Sequence, residues 1–402
     1  MNMKYNPYVV HAYDQESIVA EMNKIGSDPG GIKLMAPKGE TLLIRVENVS
    51  LKAANILKQE MLSRGGDCAV HMKVSMLDIA ESSVLLVATR RQLRDVLRKL
   101  RGQPFGLKRL GAEIEELLYR QEKLKKREEF TCGPYTLPLG KRTLIMGILN
   151  ATPDSFSDGG RYNEVDRAVA HAKELIEAGA DIIDVGGEST RPGAETVELE
   201  EELARVIPVV RAIASECRVP ISIDTYKAEV ADQAVRAGAH IINDVWGAKR
   251  DTRMVHVAAE HDVPIILMHN RTNRDYVEFF SDLVKDLRES VDIAVDAGVK
   301  EDKIILDPGI GFVKSLEQNL ETMRRLDDIV SLGYPVLLGT SRKSMIGKVL
   351  DLPTEERVEG TAATVALGIA KGCHMVRVHD VKEMKRVAQM MDAMLGGKVS
   401  HG

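Results

Sequence analysis

The chain has 402 residues, with 55 Lys and Arg against 60 Asp and Glu, 44% hydrophobic residues and 4% aromatics. That length predicts two or three domains, and a near-neutral balance with few rings argues against a nucleic-acid partner. No apolar run reaches the ~20 residues of a membrane span, the start MNMKYNPYVV lacks a secretory pattern, and Cys68, Cys132, Cys217 and Cys373 form no CxxC pair, so the expectation is a cytoplasmic protein without a membrane partner, a zinc site or a disulfide framework.

Residues 1–128 read as a small α+β domain. TLLIRVEN (41–48), CAVHMKVSM (68–76) and SVLLVAT (83–89) have strand composition, with helices predicted over 51–63 and 91–100. The mixed-charge run GAEIEELLYRQEKLKKREEF (111–130) reads as a solvated helix and connector. No catalytic constellation stands out in this domain, and its role reads as structural or oligomer-contacting, with a regulatory or partner-binding role as the alternative.

Residues 129–402 alternate short apolar runs with amphipathic stretches. The runs are TLIMGILN (143–150), DIIDVGGES (181–189), PISIDT (220–225), HIINDV (240–245), PIILMH (264–269), KIILDPG (303–309), PVLLGTS (335–341) and MVRVHD (375–380). Unbroken Ile, Val and Leu mark strands buried on both faces. Helices are predicted over 164–179, 197–217, 228–238, 275–298, 316–333, 354–372 and 381–394, several closed by glycine. Eight such units predict an α/β fold, a (β/α)8 TIM barrel. A doubly wound sheet is the rival, and the missing G-x-G-x-x-G after the first strand disfavours it.

Barrel enzymes work at the C-terminal ends of their strands. Here those ends carry Asn150, Asp184 with Glu188, Asp224, Asn243 with Asp244, His269 with Asn270, Asp307, Ser341-Arg342-Lys343, and Arg377 with His379. Asp224, Asn243 and Asp307 suit the amino and amide edge of a flat heterocycle. Lys343, Arg377 and His379 make a cationic group where barrels hold phosphate. Asn150 offers an oxygen to Mg²⁺, a cation that keeps most of its waters and shares few protein ligands with phosphate. Two glycine-containing loops, ATPDSFSDGGRY (151–162) and STRPGAE (189–195), carry Phe156 and Arg191, a ring and a guanidinium for a second substrate.

The segments GILNATPDSFSDGG (147–160), GGESTRPGA (186–194), SIDT (222–225), IIND (241–244), LDPGIGF (306–312), GTSRKSMIG (339–347) and RVHD (377–380) resemble the dihydropteroate synthase family, in order and across all eight strands. The resemblance implies a transferase of folate biosynthesis and a sulfonamide target. It implies condensation of 6-hydroxymethyl-7,8-dihydropterin diphosphate with 4-aminobenzoate to 7,8-dihydropteroate and pyrophosphate, with Mg²⁺ as cofactor. It further implies that Asp224, Asn243, Met268, Asp307, Gly311, Lys343 and Arg377 cradle the pterin, and that Asn150, Arg377 and His379 hold the diphosphate with Mg²⁺. Phe156, Thr190, Arg191, Pro192, Phe312 and Ser341 would form the aminobenzoate pocket, with Asp154 and Asp158 in the closing first loop. A homodimer is expected.

The sequence departs from the family pattern at Ala151, at Val245-Trp246-Gly247 and at GFVKS (311–315), and most of all in its N-terminal domain. A folate:corrinoid methyltransferase would share the Asp and Asn strand ends without needing the STRPG and SRK loops. A non-catalytic pterin binder would be expected to lack Arg191, Lys343 or Asn150, and all are present.

Overall fold

The computed structural model describes residues 7–11, 15–74, 76, 78–151, 161–188 and 197–396. The chain divides into two compact units, Met1–Tyr119 and Arg120–Gly402. In the first, α1 (Gln15–Ile25) and α2 (Pro29–Gly39) precede β1 (Thr41–Ser50), α3 (Leu51–Leu62), β2 (Asp67–Val70), β3 (Glu81–Thr89) and α4 (Arg90–Leu100). The sheet is antiparallel in the order β1-β3-β2. Its helices start at good caps. The Ser50 side chain accepts the Ala53 N–H, and Thr89 and Gln92 form a capping box. The strand expected over 68–76 stops at Val70, because its pairing with β3 ends at Val84 and Met72–Val74 then turn as a 3₁₀ helix that buries Val74. The helix α2 was not foreseen. Asp28 followed by Pro29 is its start signal, with the Asp28 side chain accepting the Gly31 N–H at 2.9 Å. The charged run forms the 19-residue helix α5 (Leu107–Lys125).

The second unit is the barrel. A hairpin, β4 (Glu129–Cys132) and β5 (Tyr135–Pro138), leads into β6 (Leu144–Asn150), α6 (Arg161–Glu177), β7 (Ile182–Gly186), α7 (Leu199–Glu216), β8 (Ile221–Asp224), α8 (Ala228–Ala237), β9 (Ile241–Asp244), α9 (Met254–Glu260) and β10 (Ile265–Met268). There follow α10 (Phe279–Asp296), β11 (Ile304–Asp307), α11 (Leu316–Arg324), α12 (Leu326–Val330), β12 (Leu337–Leu338), α13 (Ser344–Leu350), α14 (Val358–Ala370), β13 (Met375–Val378) and α15 (Val381–Met394). The eight strands run parallel in the order β11-β10-β9-β8-β7-β6-β13-β12, and a bridge between Leu306 and Val336 closes the ring. This is the (β/α)8 barrel the sequence predicts. The helix expected over 316–333 is split at Arg325, whose backbone leaves helical values where the Thr322 hydroxyl bonds back to the Gln318 carbonyl.

Strand side chains alternate between faces. Met146, Ile182, Ile241, Ile266, Ile305, Leu337 and Met375 fill the lower interior and are completely buried. Phe130 and Leu137 of the hairpin and the following Leu139 pack into the same cluster. Two residues further along the strands the lumen turns polar, at Asp184, Asn243, Asp307 and Arg377. The apolar plug and the polar mouth are one repeat apart.

Candidate active site

Parallel register sets the floor of the mouth. Asp184 stands beside Ser222, Gly186 beside Asp224, and Asp224 beside Asn243. From β13, Arg377 reaches across to both acids, donating through Nε to Asp184 Oδ2 at 2.6 Å and through Nη2 to Asp224 Oδ2 at 2.7 Å. The Asn243 amide adds a bond to Asp184 Oδ2 at 3.3 Å. These contacts use one oxygen of each carboxylate. Asp184 Oδ1, Asp224 Oδ1 and the Ser222 hydroxyl are buried without a hydrogen-bond partner. An unsatisfied buried polar group costs about 1–3 kcal/mol, so three together call for partners from outside the chain, water or a ligand.

The electrostatics match. Burial pushes the Asp224 carboxyl up to about 7, opposed by Arg377 and reinforced by Asp184. Burial also raises Asp307, against the pull of Lys343, and pulls the Lys343 ammonium down to about 8, against Asp307. For Arg377 burial is outweighed by Asp184 and Asp224, which hold the guanidinium charged. Asp224 and Lys343 are thus both drawn toward neutrality, as groups at functional sites often are.

One wall is the turn after β11. The Lys343 ammonium donates to the Ile310 carbonyl and lies 4.7 Å from the centre of the Phe312 ring. Gly311 has φ +87°, and a Cβ there would sit 3.0 Å from Lys343 Cδ, so both the turn and the close approach require glycine. Met268 is buried on the neighbouring strand, directly beside Asp307. After β12, the Ser341 hydroxyl accepts the His379 backbone N–H at 3.1 Å and meets His379 Nδ1 at 2.9 Å. Asn150 and His379 share a cavity of about 570 Å³ with Ile148, Arg167, His171 and Arg342.

The polar strand ends thus sort by direction. Asp224, Asn243, Met268, Asp307, Gly311, Phe312, Ser341, Lys343, Arg377, His379 and Asn150 all belong to the mouth. Arg377 is committed to the two carboxylates, while Asn150 and His379 line the adjoining cavity. Asp244, one residue beyond Asn243, instead accepts the Trp246 and Ala248 N–H groups at 2.9 and 2.6 Å. Trp246 is held by a different contact, with the Arg250 guanidinium 5.0 Å from its ring. Arg342 pairs with Asp380. Asp154, Phe156, Asp158, Thr190, Arg191 and Pro192 lie outside the described residues. Sequence reasoning gave Asp184 no role and passed over Ser222. The signal for both was parity, since Ser222 is two residues before Asp224 on one strand face.

Among the described residues no group of three or more His, Cys, Asp or Glu is placed to hold a metal ion. The donor set fits Mg²⁺ only as a partner of phosphate oxygens, with the exposed Asn150 amide as a protein oxygen. No described helix is long and apolar enough to cross a membrane.

A buried acid–arginine floor with unmatched acceptors, a lysine wall and a cavity lined by asparagine and histidine, all at the C-terminal end of a (β/α)8 barrel, define an enzyme site for a donor-rich heterocycle. The pterin-binding enzyme family matches over residues 146–379. A Bacillus subtilis dihydropteroate synthase is 64% identical over 270 residues, 67% of this chain and 95% of that protein. A Halobacterium salinarum protein, described as a probable bifunctional folylpolyglutamate synthase/dihydropteroate synthase, is 42% identical over 377 residues, 92% of this chain but 45% of its own length. A crystal structure of Clostridium difficile dihydropteroate synthase in the presence of pteroic acid superposes with TM-score 0.64 and 51% identity over 65% of this chain and 100% of its own. A Yersinia pestis dihydropteroate synthase with a pterine–sulfa conjugate superposes with TM-score 0.61 and 36% identity, over 66% of this chain and 99% of its own. The chain belongs to the dihydropteroate synthase family of pterin-binding enzymes, transferases of folate biosynthesis.

Proposed function

We propose that the protein condenses 6-hydroxymethyl-7,8-dihydropterin diphosphate with 4-aminobenzoate, releasing pyrophosphate and 7,8-dihydropteroate. The observation that carries this reading is the trio of unpartnered buried acceptors, Asp184 Oδ1, Ser222 Oγ and Asp224 Oδ1. A pterin presents ring N–H and amino donors to such a floor, and Asn243 and Asp307 extend the same polar edge. Arg377 keeps Asp184 and Asp224 in place. Lys343, between Asp307 and the Phe312 ring, sets positive charge at the pterin's rim.

Asn150 and His379, on the wall of the adjoining cavity, suit the diphosphate. Mg²⁺, bound with the diphosphate, would supply charge neutralisation to the leaving group. As the carbon–oxygen bond breaks, its electron pair leaves with pyrophosphate, the electron-rich dihydropterin ring stabilises the methylene cation, and the aniline nitrogen attacks and gives its proton to solvent. No strong protein base is required, so catalysis rests on positioning and leaving-group electrostatics. Phe312 and Ser341 would contact the aminobenzoate, together with Phe156, Thr190, Arg191 and Pro192, and sulfonamides would compete there. Asp154 and Asp158 would close the first loop.

The test is pyrophosphate release in Mg²⁺ buffer with and without 4-aminobenzoate. The expected result is release matched one-to-one by dihydropteroate, whose formation a sulfonamide suppresses. Absence of dihydropteroate with both substrates present would overturn the reading. A cytoplasmic homodimer is part of the same proposal, and sedimentation of the purified chain tests the dimer.

A further inference from the structure

Behind the pocket wall lies a buried ionic chain that the proposed reaction does not use. His269 directly follows inward-facing Met268, and its ring is on the outer side of β10, 1% exposed. Its Nε2 meets Asp286 Oδ2 on α10 at 3.0 Å. Arg271 holds the same carboxylate through Nε at 2.5 Å and Nη2 at 3.2 Å. Although burial pushes Asp286 up, the His269 and Arg271 hydrogen bonds prevail and hold it well below the usual carboxylate range. An ionised Asp286 needs a donor, so the ring hydrogen sits on Nε2 and Nδ1 is left as an acceptor.

That acceptor receives Lys314. Lys314 is 5% exposed, and its ammonium reaches His269 Nδ1 at 2.8 Å, the Gly309 carbonyl at 2.8 Å and the Phe312 carbonyl at 3.2 Å. All three of its donors are spent. Gly309 and Phe312 are the two ends of a four-residue turn, closed also by the Phe312 N–H on the Gly309 carbonyl at 3.1 Å. The Gly309 N–H on Asp307 Oδ1 and the Gly311 N–H on Asn319 Oδ1, both at 2.7 Å, brace the turn as well, which leaves its two end carbonyls to Lys314. Gly309 and Gly311 have φ of +65° and +87°, and Val313, just beyond, has φ +44°. Inside it sit the Ile310 carbonyl that accepts Lys343 and the Phe312 ring that Lys343 overlies.

We propose that Lys314, fixed by His269 and Asp286, is a positioning residue for the active site: it clamps residues 309–312 and through them sets Lys343 and Phe312 against the substrates. The inference rests on the reading of Lys343 and Phe312 as site residues. Lys314 has no donor left for a substrate, since its three contacts are to His269, Gly309 and Phe312. A buried cation is costly, and burial pulls this one down to about 7 against the attraction of Asp307. A plain loop brace needs no charge. A brace that also fixes a neighbouring cation gains from three directed donors on two carbonyls and a ring.

The experiment is a double-mutant cycle on kcat/KM of the full chain. Lys314→Met, Lys343→Met and the double variant are compared, with rates normalised to the folded fraction by near-UV circular dichroism. Lys314→Met alone should lower kcat/KM by ~10-fold or more, and in the Lys343→Met background its effect should shrink to less than ~2-fold, because the two act as one unit. Lys314→Gln, which keeps an N–H for a carbonyl, should recover part of the loss, and it carries the same cycle if the Met variant is insoluble. Equal losses in both backgrounds, or no loss from Lys314→Met, would overturn the positioning role. If Lys343→Met itself leaves kcat/KM unchanged, the assignment of Lys343 to the site falls first, a separate outcome.

Discussion

The barrel's lower and upper interiors come from the same strands, two residues apart, and could hardly differ more. Below stand Ile182, Ile241, Ile266, Ile305, Leu337 and Met375, all fully buried. Above them come Asp184, Asn243, Met268, Asp307, Gly339 and Arg377. The lower layer stabilises the fold, at about 1.5–3 kcal/mol for each large side chain removed from water. With Ser222 and Asp224 of β8, the mouth contains three buried acceptors without partners, each a cost of about 1–3 kcal/mol until water or a ligand supplies one. Stability and binding are separated by a single pleat of strand.

The sharpest way to break this contrast is to exchange effects between layers. Lys343→Ala, in the mouth, should lower turnover by ~10²–10³-fold, the loss typical of one electrostatic donor, while the melting temperature stays near wild type. Turnover assays and calorimetry on one preparation read both, and a folded variant with undiminished turnover would remove Lys343 from the site. Ile266→Ala, one layer down, should do the reverse. It should cost about 2–5 kcal/mol of stability, measured by denaturant unfolding, and leave kcat within a few-fold at temperatures where the protein stays folded.

How far the sequence could be read follows the same division. Strands such as KIILD were legible because burial on both faces leaves unbroken aliphatic runs, and their polar ends flagged Asp224, Asn243, Asp307 and Lys343 as site candidates. The hairpin β4/β5 was not, since EFTC and YTLP are four-residue segments with no such run. The seven-residue helices α9 and α13 are too short to display a period. Lys314 was hidden, and His269 was flagged only as a polar strand end, for another reason. Their function lies in a side chain turned away from the lumen and in carbonyls of a left-handed turn, and neither is written in residue type. GFVKS read only as a variation on a motif, although its lysine makes three hydrogen bonds.

The N-terminal unit sharpens the comparison by truncation. A chain beginning at Arg127 should fold, because every barrel strand lies beyond it. It loses Leu124 from the lower core, the Arg120–Glu301 pair at 2.7 Å and the Gln121 bond to the Ser331 carbonyl at 2.7 Å. Its stability should therefore fall by about 2–3 kcal/mol relative to a chain beginning at Arg120. Chemical denaturation of the two truncated chains measures the difference, and insolubility of both would mean that the barrel cannot stand without the first unit.

A smaller effect concerns pH. Asp224 accepts hydrogen bonds best as a carboxylate, and burial raises its pKa to about 7. Pterin binding therefore favours the deprotonated form and should strengthen as pH rises through about 7, by up to ~10-fold per pH unit on the acid side, where the proton must leave. Calorimetric titration with a dihydropterin from pH 6 to 8 would show it, and Asp224→Asn should flatten the profile.

The same variant gives the most direct test of the separation of layers. Asp224→Asn replaces a buried, destabilised carboxylate with a neutral amide, and it removes an acceptor intended for the ligand. Its melting temperature and its affinity for a dihydropterin should be measured side by side. A melting temperature equal to or above wild type, with affinity reduced by ~10²-fold, the loss of about 3 kcal/mol expected for a hydrogen bond to a charged group, is the predicted result. A variant that melts several degrees lower and binds the pterin as tightly as wild type would show that Asp224 serves the fold, and the mouth of the barrel would then be an extension of its core.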